Sequence, residues 1–236
     1  MTLIHSHTEP HVETAFGQAR RAMARRAMAG PPIPLGISMR PAQESDARTI
    51  ADLFRISSDG VADYVWSLLR AEYGGRSLPE IGAARYAREN TDFSYQNCIL
   101  AQAGDRIAGM VHGFAMATKD SRGDSEGDSS AEAGAPDPVL QPYAELEIPG
   151  SFYIAGLALF PIFRGRGIGS HLLDVAEQRA RALRCPEVSL LAFAENDAAV
   201  RLYARNGYRI VKTRRIVPHA LIRCRGDAYL MAKPVD

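Results

Sequence analysis

One stretch of this chain decides its fold: Phe163-Arg164-Gly165-Arg166-Gly167-Ile168-Gly169-Ser170. It follows a short apolar run, residues 152–159, and it opens an amphipathic run, residues 168–183. That order predicts a strand, a glycine-rich turn and a helix. The first turn of a helix carries unpaired N–H groups and a partial positive charge, and glycines let a ligand approach that backbone closely. With two arginines added, the stretch is suited to binding a diphosphate.

The spacing of the arginine and the glycines within this turn indicates which diphosphate ligand it binds. The pattern Arg164-x-x-Gly167-x-Gly169 resembles the coenzyme A pyrophosphate motif of the GNAT family of N-acetyltransferases. A competing interpretation is the dinucleotide fingerprint G-x-G-x-x-G, which Gly165 and Gly167 also fit. Its third glycine falls on Ser170, however, and no second βαβ unit follows, so the fingerprint is the weaker match.

A second motif lies about one helix and one strand further along. Residues 196–208 resemble the second GNAT signature, Asn-x-x-Ala-x-x-Leu-Tyr followed by a glycine and an aromatic residue, with Asn196, Ala199, Tyr203, Gly207 and Tyr208 at the matching positions. Two motifs in the right order and at a fitting separation are more specific than either alone. The resemblance extends over roughly Ile37 to the C-terminus.

The resemblance implies an α/β fold with a GNAT-type mixed, mostly antiparallel sheet of about seven strands, flanked by helices. Strands 4 and 5 are expected to form a parallel pair that splays apart, joined by a helix over 167–183. The residues themselves predict a first strand at 37–42, a hairpin over 97–116 around Gly104-Asp105, a fifth strand at 187–193 and two strands within 208–233. A helical stretch is predicted at 61–72.

The chain divides into an N-terminal arm, residues 1–36, and a GNAT acetyltransferase domain, residues 37–236. The arm carries four arginines, which indicate either a solvated helix face or a nucleic-acid or targeting feature: Arg20, Arg21, Arg25 and Arg26. Within the domain, residues of about 118–140 are rich in Ser, Gly, Ala, Asp and Glu, with six acidic against two basic side chains. Such a composition cannot offset the entropy of ordering, so we expect a mobile acidic insertion there.

Composition excludes several classes of function. The formal net charge is +1, so bulk charge gives no reason to expect nucleic acid or a membrane as partner. The three cysteines, Cys98, Cys185 and Cys224, form neither a metal-ligand spacing nor a disulfide framework, and a cytoplasmic location is expected. No apolar run reaches the length of a membrane span, and no secretory leader is expected. Family members are often dimers, so a homodimer stays open.

The resemblance also implies a reaction and its residues. Acetyl-CoA, as cosubstrate, would give its acetyl group directly to a primary amine of a small molecule or peptide in a ternary complex. The backbone at Leu157, Ala158 and Leu159 would pair with the pantetheine arm, and residues 164–170 would wrap the pyrophosphate. Asn196 would bind the pantetheine arm, although it also suits a helix N-cap. Tyr203 would be the general acid toward the CoA sulfur, although it also suits an apolar helix face.

The position that holds the general base in one branch of the family carries a different residue in this chain. The ribosomal-protein alanine N-acetyltransferases carry a glutamate five residues before the motif asparagine, and Leu191 stands at that position here. We choose Glu147, just before the fourth strand, as the base that deprotonates the amine; Glu145, Tyr153 and His112 stay open as alternatives. The missing carboxylate leaves a second function open, a non-catalytic module that binds or senses acyl-CoA. A nicotinamide-dependent enzyme that uses the glycine turn is a remote third.

Overall fold

The fold was analysed in a computed structural model that describes residues 36–118 and 137–235. The predicted N-terminal arm and most of the predicted acidic insertion lie outside the described residues. The C-terminal end of that insertion is described and packed: Asp137 accepts a hydrogen bond from the Tyr64 hydroxyl at 2.7 Å, and Leu140 is buried. Within 36–118 and 137–235 no helix is both long and apolar enough to cross a lipid bilayer.

Seven strands form one mixed sheet in the order β1-β2-β3-β4-β5-β7-β6. Only the central β4 and β5 pair in parallel, and all other neighbours are antiparallel. This confirms the predicted fold class, the central parallel pair and the hairpin. The strands are β1 (Ile37–Pro41), β2 (Cys98–Ala103), β3 (Arg106–Ala115), β4 (Phe152–Leu159), β5 (Glu187–Phe193), β6 (Arg209–Arg215) and β7 (Asp227–Pro234).

Six α-helices of the described residues flank the sheet. They are α1 (Ala47–Ser57), α2 (Val61–Leu68), α3 (Leu78–Tyr86), α4 (Gln141–Ala144), α5 (Ile168–Ala182) and α6 (Asp197–Arg205). Helix α2 is shorter than the predicted 61–72, because the chain leaves the helix before two glycines with positive φ, Gly74 and Gly75. The sequence analysis placed no helix at α3, which begins at a reciprocal capping box between Ser77 and Glu80.

The sheet separates two apolar layers. On one face α5 packs Leu172 and Leu173 against side chains of the central strands such as Val111, Ile154 and Leu190. On the other face α1 and α3 pack Ile50 and Ile81 against Leu100, Met110 and Ala158. Successive strand residues alternate between these layers, as the pleat requires.

The parallel pair splays apart as predicted. Pairing of β4 with β5 covers only residues 152–154 and 188–190. Directly beyond Ile154, Ala155 is an extra residue in the ladder with β3, because Ile154 pairs with Gly113 and Gly156 pairs with His112. Such a bulge bends a strand and reverses its alternation. The ends of β4 and β5 therefore diverge and leave a gap between residues 155–159 and 191–193.

A third apolar cluster closes the sheet at the β5-β7-β6 side. Leu146, Phe193 and Leu230 meet there with Ile216 and Ile222 of the β6–β7 connection. The segment that leads into β4, residues 137–150, thus crosses this part of the sheet and is fixed to it.

Candidate active site

The turn between β4 and α5 owes its shape to two glycines. Gly165 and Gly167 have φ values of 73° and 80°, in the left-handed region that other residues avoid. A Cβ at either position would meet nothing within 4 Å, so backbone conformation and not space requires glycine. Gly167 is the residue immediately before α5. The predicted strand, turn and helix are therefore present in that order.

Gly169 has a different purpose. A Cβ there would lie 3.0 Å from Cδ2 of Leu202, so the missing side chain lets α6 approach the first turn of α5. Asn206, at the end of α6, donates from Nδ2 to the Ser170 hydroxyl at 3.2 Å. The two sequence motifs thus pack directly on each other.

The turn exposes main-chain donors. In the part of the chain that the structure describes, the N–H groups of residues 165–169 have no backbone acceptor. The Ser170 N–H is already engaged with the Gly167 carbonyl at 3.1 Å, so the run of available donors ends at Gly169. Residues 165–167 of this run are exposed, whereas Ile168 and Gly169 are buried. A row of N–H groups at a helix N-terminus is a favourable place for an anion.

Three arginines surround this turn. Arg164 donates from Nε to the Leu159 carbonyl at 3.2 Å, which ties the turn to the end of β4. Arg166 and Arg106 both lie over the Phe163 ring, at 5.9 Å and 5.4 Å from its centroid. No role was predicted for Arg106, because it precedes the turn by many residues in the sequence. Only the pairing of β3 with β4 brings it near the turn.

The edge of β4 beyond the bulge borders the gap. Leu157, Ala158 and Leu159 pair with β3 on one side. On their other side β5 has already diverged, so backbone groups there face the gap and not a strand. An extended ligand could pair with this edge as an additional strand.

Asn196 lies at the far side of the gap, where β5 leads into α6. Its Oδ1 accepts a hydrogen bond from the Ala199 N–H at 3.2 Å, so the side chain caps α6. The side chain is exposed, and its NH2 group is left as a donor. Asn196 can therefore cap α6 and still donate a hydrogen bond to a ligand, so the two roles predicted from the sequence are compatible.

Tyr203 lies on α6 in the apolar layer shared with α5. Its side chain is only 7% exposed, and its ring centroid is 6.1 Å from that of Tyr208. Burial raises the pKa of Tyr203 to about 12. The phenol therefore keeps its proton at neutral pH, which a proton donor requires.

Tyr153 interacts electrostatically with both Glu147 and Tyr203. Burial raises the pKa of Tyr153, and the charges of the Glu147 carboxylate and the Tyr203 phenol raise it further. Tyr153 precedes the bulge and alternates with Phe152 and Ile154, which face the α5 layer, so it faces the opposite layer. Tyr153 thus lies within electrostatic range of the two residues predicted for proton transfer, Glu147 and Tyr203.

The other two residues considered as general base, Glu145 and His112, form contacts of their own. Glu145 is exposed and forms an ion pair with Arg214, whose hydrogen bond lowers the pKa of the Glu145 carboxyl group. His112 is fully buried below α1, with Nε2 at 2.9 Å from the Asp92 carbonyl. Leu191 packs in the third apolar cluster. The contacts of Glu145 with Lys212 and Arg214 were not predicted. The available signal was the spacing of the two basic residues, which places both on one face of β6.

Comparison with known proteins gives the family. A model described as the acetyltransferase (GNAT) family matches residues 62–208. The uncharacterized N-acetyltransferase YdgE of Bacillus subtilis is 36% identical over 62 residues, which are 26% of this chain and 40% of that protein. N-alpha-acetyltransferase 30 of Saccharomyces cerevisiae is 29% identical over 96 residues, which are 41% of this chain and 51% of that protein. The chain thus spans about half or less of these relatives.

The fold itself has solved counterparts. A crystal structure described as an acetyltransferase superposes with a TM-score of 0.57 and 21% identity, over 84% of this chain and 100% of that chain. At that identity the likeness concerns the fold alone. The family match is independent of it and covers more than half of the sequence, including both motifs and the splayed strands. The chain therefore belongs to the GNAT family of acetyltransferases.

Proposed function

We propose that this protein is an acetyl-CoA-dependent N-acetyltransferase that transfers acetyl directly to a primary amine of a small molecule or peptide, within a ternary complex. One observation carries the proposal: a gap between two splayed parallel strands has a row of unpaired N–H groups, at Gly165–Gly169, at one end. A long ligand with a diphosphate in its middle and an extended arm fits this arrangement.

Each part of acetyl-CoA has a counterpart in the site. The N–H groups of Gly165, Arg166, Gly167, Ile168 and Gly169 would bind the pyrophosphate, assisted by the charges of the nearby arginines. The pantetheine arm would lie along residues 157–159 as an extra strand, with the Asn196 NH2 group as a further donor. This order would direct the thioester toward the splay point of β4 and β5.

The reaction then needs three proton transfers. Glu147 would take a proton from the ammonium group, directly or through a water, because only the free amine has a lone pair for attack. The amine nitrogen forms a bond to the acetyl carbon while the carbon–sulfur bond breaks, and an N–H at the edge of β4 would stabilise the negative charge on the carbonyl oxygen. Tyr203 would give its proton to the departing thiolate, and the second proton that the acetylated nitrogen loses would then restore the Tyr203 phenol.

The identity of the acceptor stays a prediction. The relative named N-alpha-acetyltransferase 30 gives a reason to include peptides with a free N-terminus in any acceptor panel beside small amines. Leu191, in place of a carboxylate, is the observation that favours the alternative of a non-catalytic acyl-CoA-binding module. The cytoplasmic location, a homodimer and the division into arm, domain and mobile insertion also remain predictions.

Isothermal titration of the full chain with acetyl-CoA tests the cofactor. We expect a Kd in the micromolar range, about −8 kcal/mol, and no heat of binding with NADH. Free CoA and a longer acyl-CoA serve as comparators, because a protein that binds only the latter has the right fold and a different donor. A folded protein that binds no CoA species would overturn the assignment of residues 164–170.

Substitution of one tyrosine separates an enzyme from a binding module. Tyr203→Phe keeps the packing and removes the proton, so kcat should fall by roughly 100-fold or more while the Kd for acetyl-CoA stays the same. Tyr208→Phe is the matched control, since its ring packs on Tyr203 in the same layer and has no proposed role in proton transfer. Equal kcat values for the two variants would contradict the role of Tyr203, and no turnover with any amine or peptide would favour the binding module.

A further inference from the structure

The segment that carries Glu147 is held by the edge strand β6 on its N-terminal side. Arg214 donates from Nε to the Glu145 carboxylate, and Lys212 donates from Nζ to the Glu145 carbonyl at 2.6 Å. Both bonds therefore act on the residue two positions before Glu147, one on its side chain and one on its backbone. Arg214 and Glu145 are each 40% exposed, and exposed ion pairs of this kind add little to the stability of a fold.

A buried hydroxyl pair holds the same segment on its C-terminal side. Ser151 donates from Oγ to the Ile148 carbonyl at 2.8 Å. Because a serine has one hydroxyl proton, Ser189 of β5 must then be the donor in its 2.6 Å contact with Ser151. Both serines are completely buried at the start of the β4–β5 pair. The relay connects β5 to the residue that follows Glu147.

Between these two attachments the backbone is anchored by packing. Leu146 is completely buried against Phe193 and Leu230, directly before Glu147. Glu147 itself is half-buried and lies near Tyr153. Its backbone is thus fixed at the preceding and the following residues. A carboxylate needs such restraint to meet an acceptor proton within hydrogen-bond distance.

We propose that Lys212 and Arg214 on one side, and Ser151 with Ser189 on the other, are positioning residues that hold the Glu147 carboxylate at the acceptor side of the gap. The inference rests on the proposed function and deepens it by assigning residues of two other strands to the same site. None of the four would contact the substrate or the acetyl group; they act through the backbone of residues 145–148.

A double-mutant cycle between Arg214 and Glu147 tests the inference. In the wild-type background Arg214→Met should lower kcat about 10-fold, shift the acidic limb of the pH–rate profile, and leave the Kd for acetyl-CoA and the melting temperature nearly unchanged. In a Glu147→Gln background the same substitution should cause no further loss, because the group that it positions is absent. Arg214→Lys, which keeps the charge, should restore part of the rate.

Arg215→Met is the matched control. It removes a neighbouring arginine of β6 that forms an ion pair with Asp227 at 3.5 Å and not with Glu145. Losses from Arg214→Met that are equal in both backgrounds, or that Arg215→Met reproduces, would overturn the inference. Absence of acetyl-CoA binding by the wild-type chain is a different outcome, which refutes the proposed function instead.

Hydrogen exchange gives a test that needs no acceptor. Arg214→Met and Ser189→Ala should each speed exchange at the amides of residues 145–148, while the amides of β3 stay protected as in the wild type. Unchanged exchange at residues 145–148 in both variants would show that the segment does not depend on these contacts, and the positioning role would be rejected.

Discussion

At the residue scale, His112 shows how an ionisable side chain becomes part of the core. It lies among aromatic rings, with centroid distances between 5.3 and 5.9 Å to Phe54, Tyr86, Phe93 and Phe114. Its Nε2 donates to the Asp92 carbonyl, and within the described chain its Nδ1 has no hydrogen-bond partner. Burial lowers the pKa of His112 to about 4, so the ring is neutral. The sequence left open a role as base, which this environment does not support.

The burial of His112 predicts a loss of stability in acid. Its pKa is 6.5 in the unfolded chain and about 4 when folded, so the unfolded state takes up the proton first. The contribution is therefore fully present above pH 6.5 and is lost as the pH falls from 6.5 through 4. Since each pKa unit corresponds to about 1.4 kcal/mol, the free energy of unfolding should fall by roughly 3 kcal/mol from this group.

Denaturant unfolding between pH 7.5 and 4.5 measures this loss. His112→Gln, whose amide can still donate to the Asp92 carbonyl, should reduce stability at neutral pH but flatten its dependence on pH. A variant that loses stability in acid as steeply as the wild type would show that His112 is not the group responsible.

At the element scale, the first turn of α5 combines conformational and packing requirements in one short stretch. Gly165 and Gly167 are needed for positive φ, whereas Gly169 is needed for the approach of α6. The sequence shows only that the three residues are glycine. Which requirement applies to which position depends on α6, and hence on residues that come more than 30 positions later.

Gly165→Ala should weaken acetyl-CoA binding about 10-fold. An alanine at φ 73° costs about 1 kcal/mol and turns the N–H groups of the turn away from the pyrophosphate. Gly75→Ala is the control, because Gly75 has nearly the same φ, 75°, and is equally open, but lies between α2 and α3. Thermal unfolding should show similar losses for both, and titration should show weaker acetyl-CoA binding for Gly165→Ala alone; equal Kd values would remove the turn from the cofactor site.

At the scale of the whole molecule, the turn between α1 and α2 packs against the connection between β6 and β7. Asp59 accepts the Arg223 N–H at 2.9 Å, and the Tyr64 ring lies 4.4 Å from that of His219. Gly60 is the tightest point, since a Cβ there would lie 1.9 Å from the Leu221 carbonyl oxygen. This contact joins segments that lie about 160 residues apart.

Gly60→Ala should therefore destabilise the fold more than backbone strain alone can explain. We expect a loss of about 3 kcal/mol or more, because the Cβ would displace backbone atoms of the connection as well as adopt a positive φ. Gly74→Ala, at φ 60° in open surroundings, gives the cost of strain alone, about 1 kcal/mol. Chemical unfolding of both variants measures the difference, and equal losses would show that the connection can move aside.

By itself, the sequence determined the elements whose signals are local: the alternating strands, the glycine turn before an amphipathic helix, and the hairpin around Gly104. Two spaced motifs were sufficient for the family, and through it for a mixed sheet of about seven strands with a splayed parallel pair. The local elements follow from short-range periodicity and backbone preference, which are properties of neighbouring residues, whereas the sheet and its splayed pair followed from the family resemblance.

Only the tertiary structure decided which ionisable groups meet. Glu145 and Glu147 look alike in sequence, yet β6 binds the first in an ion pair while the second lies beside Tyr153. His112 and Tyr153 are both strand residues beside Phe114, but the charge of Glu147 acts on Tyr153, whereas aromatic rings surround His112. The physical reason is that burial and charge depend on neighbours distant in sequence, and these neighbours exist only once the sheet has formed.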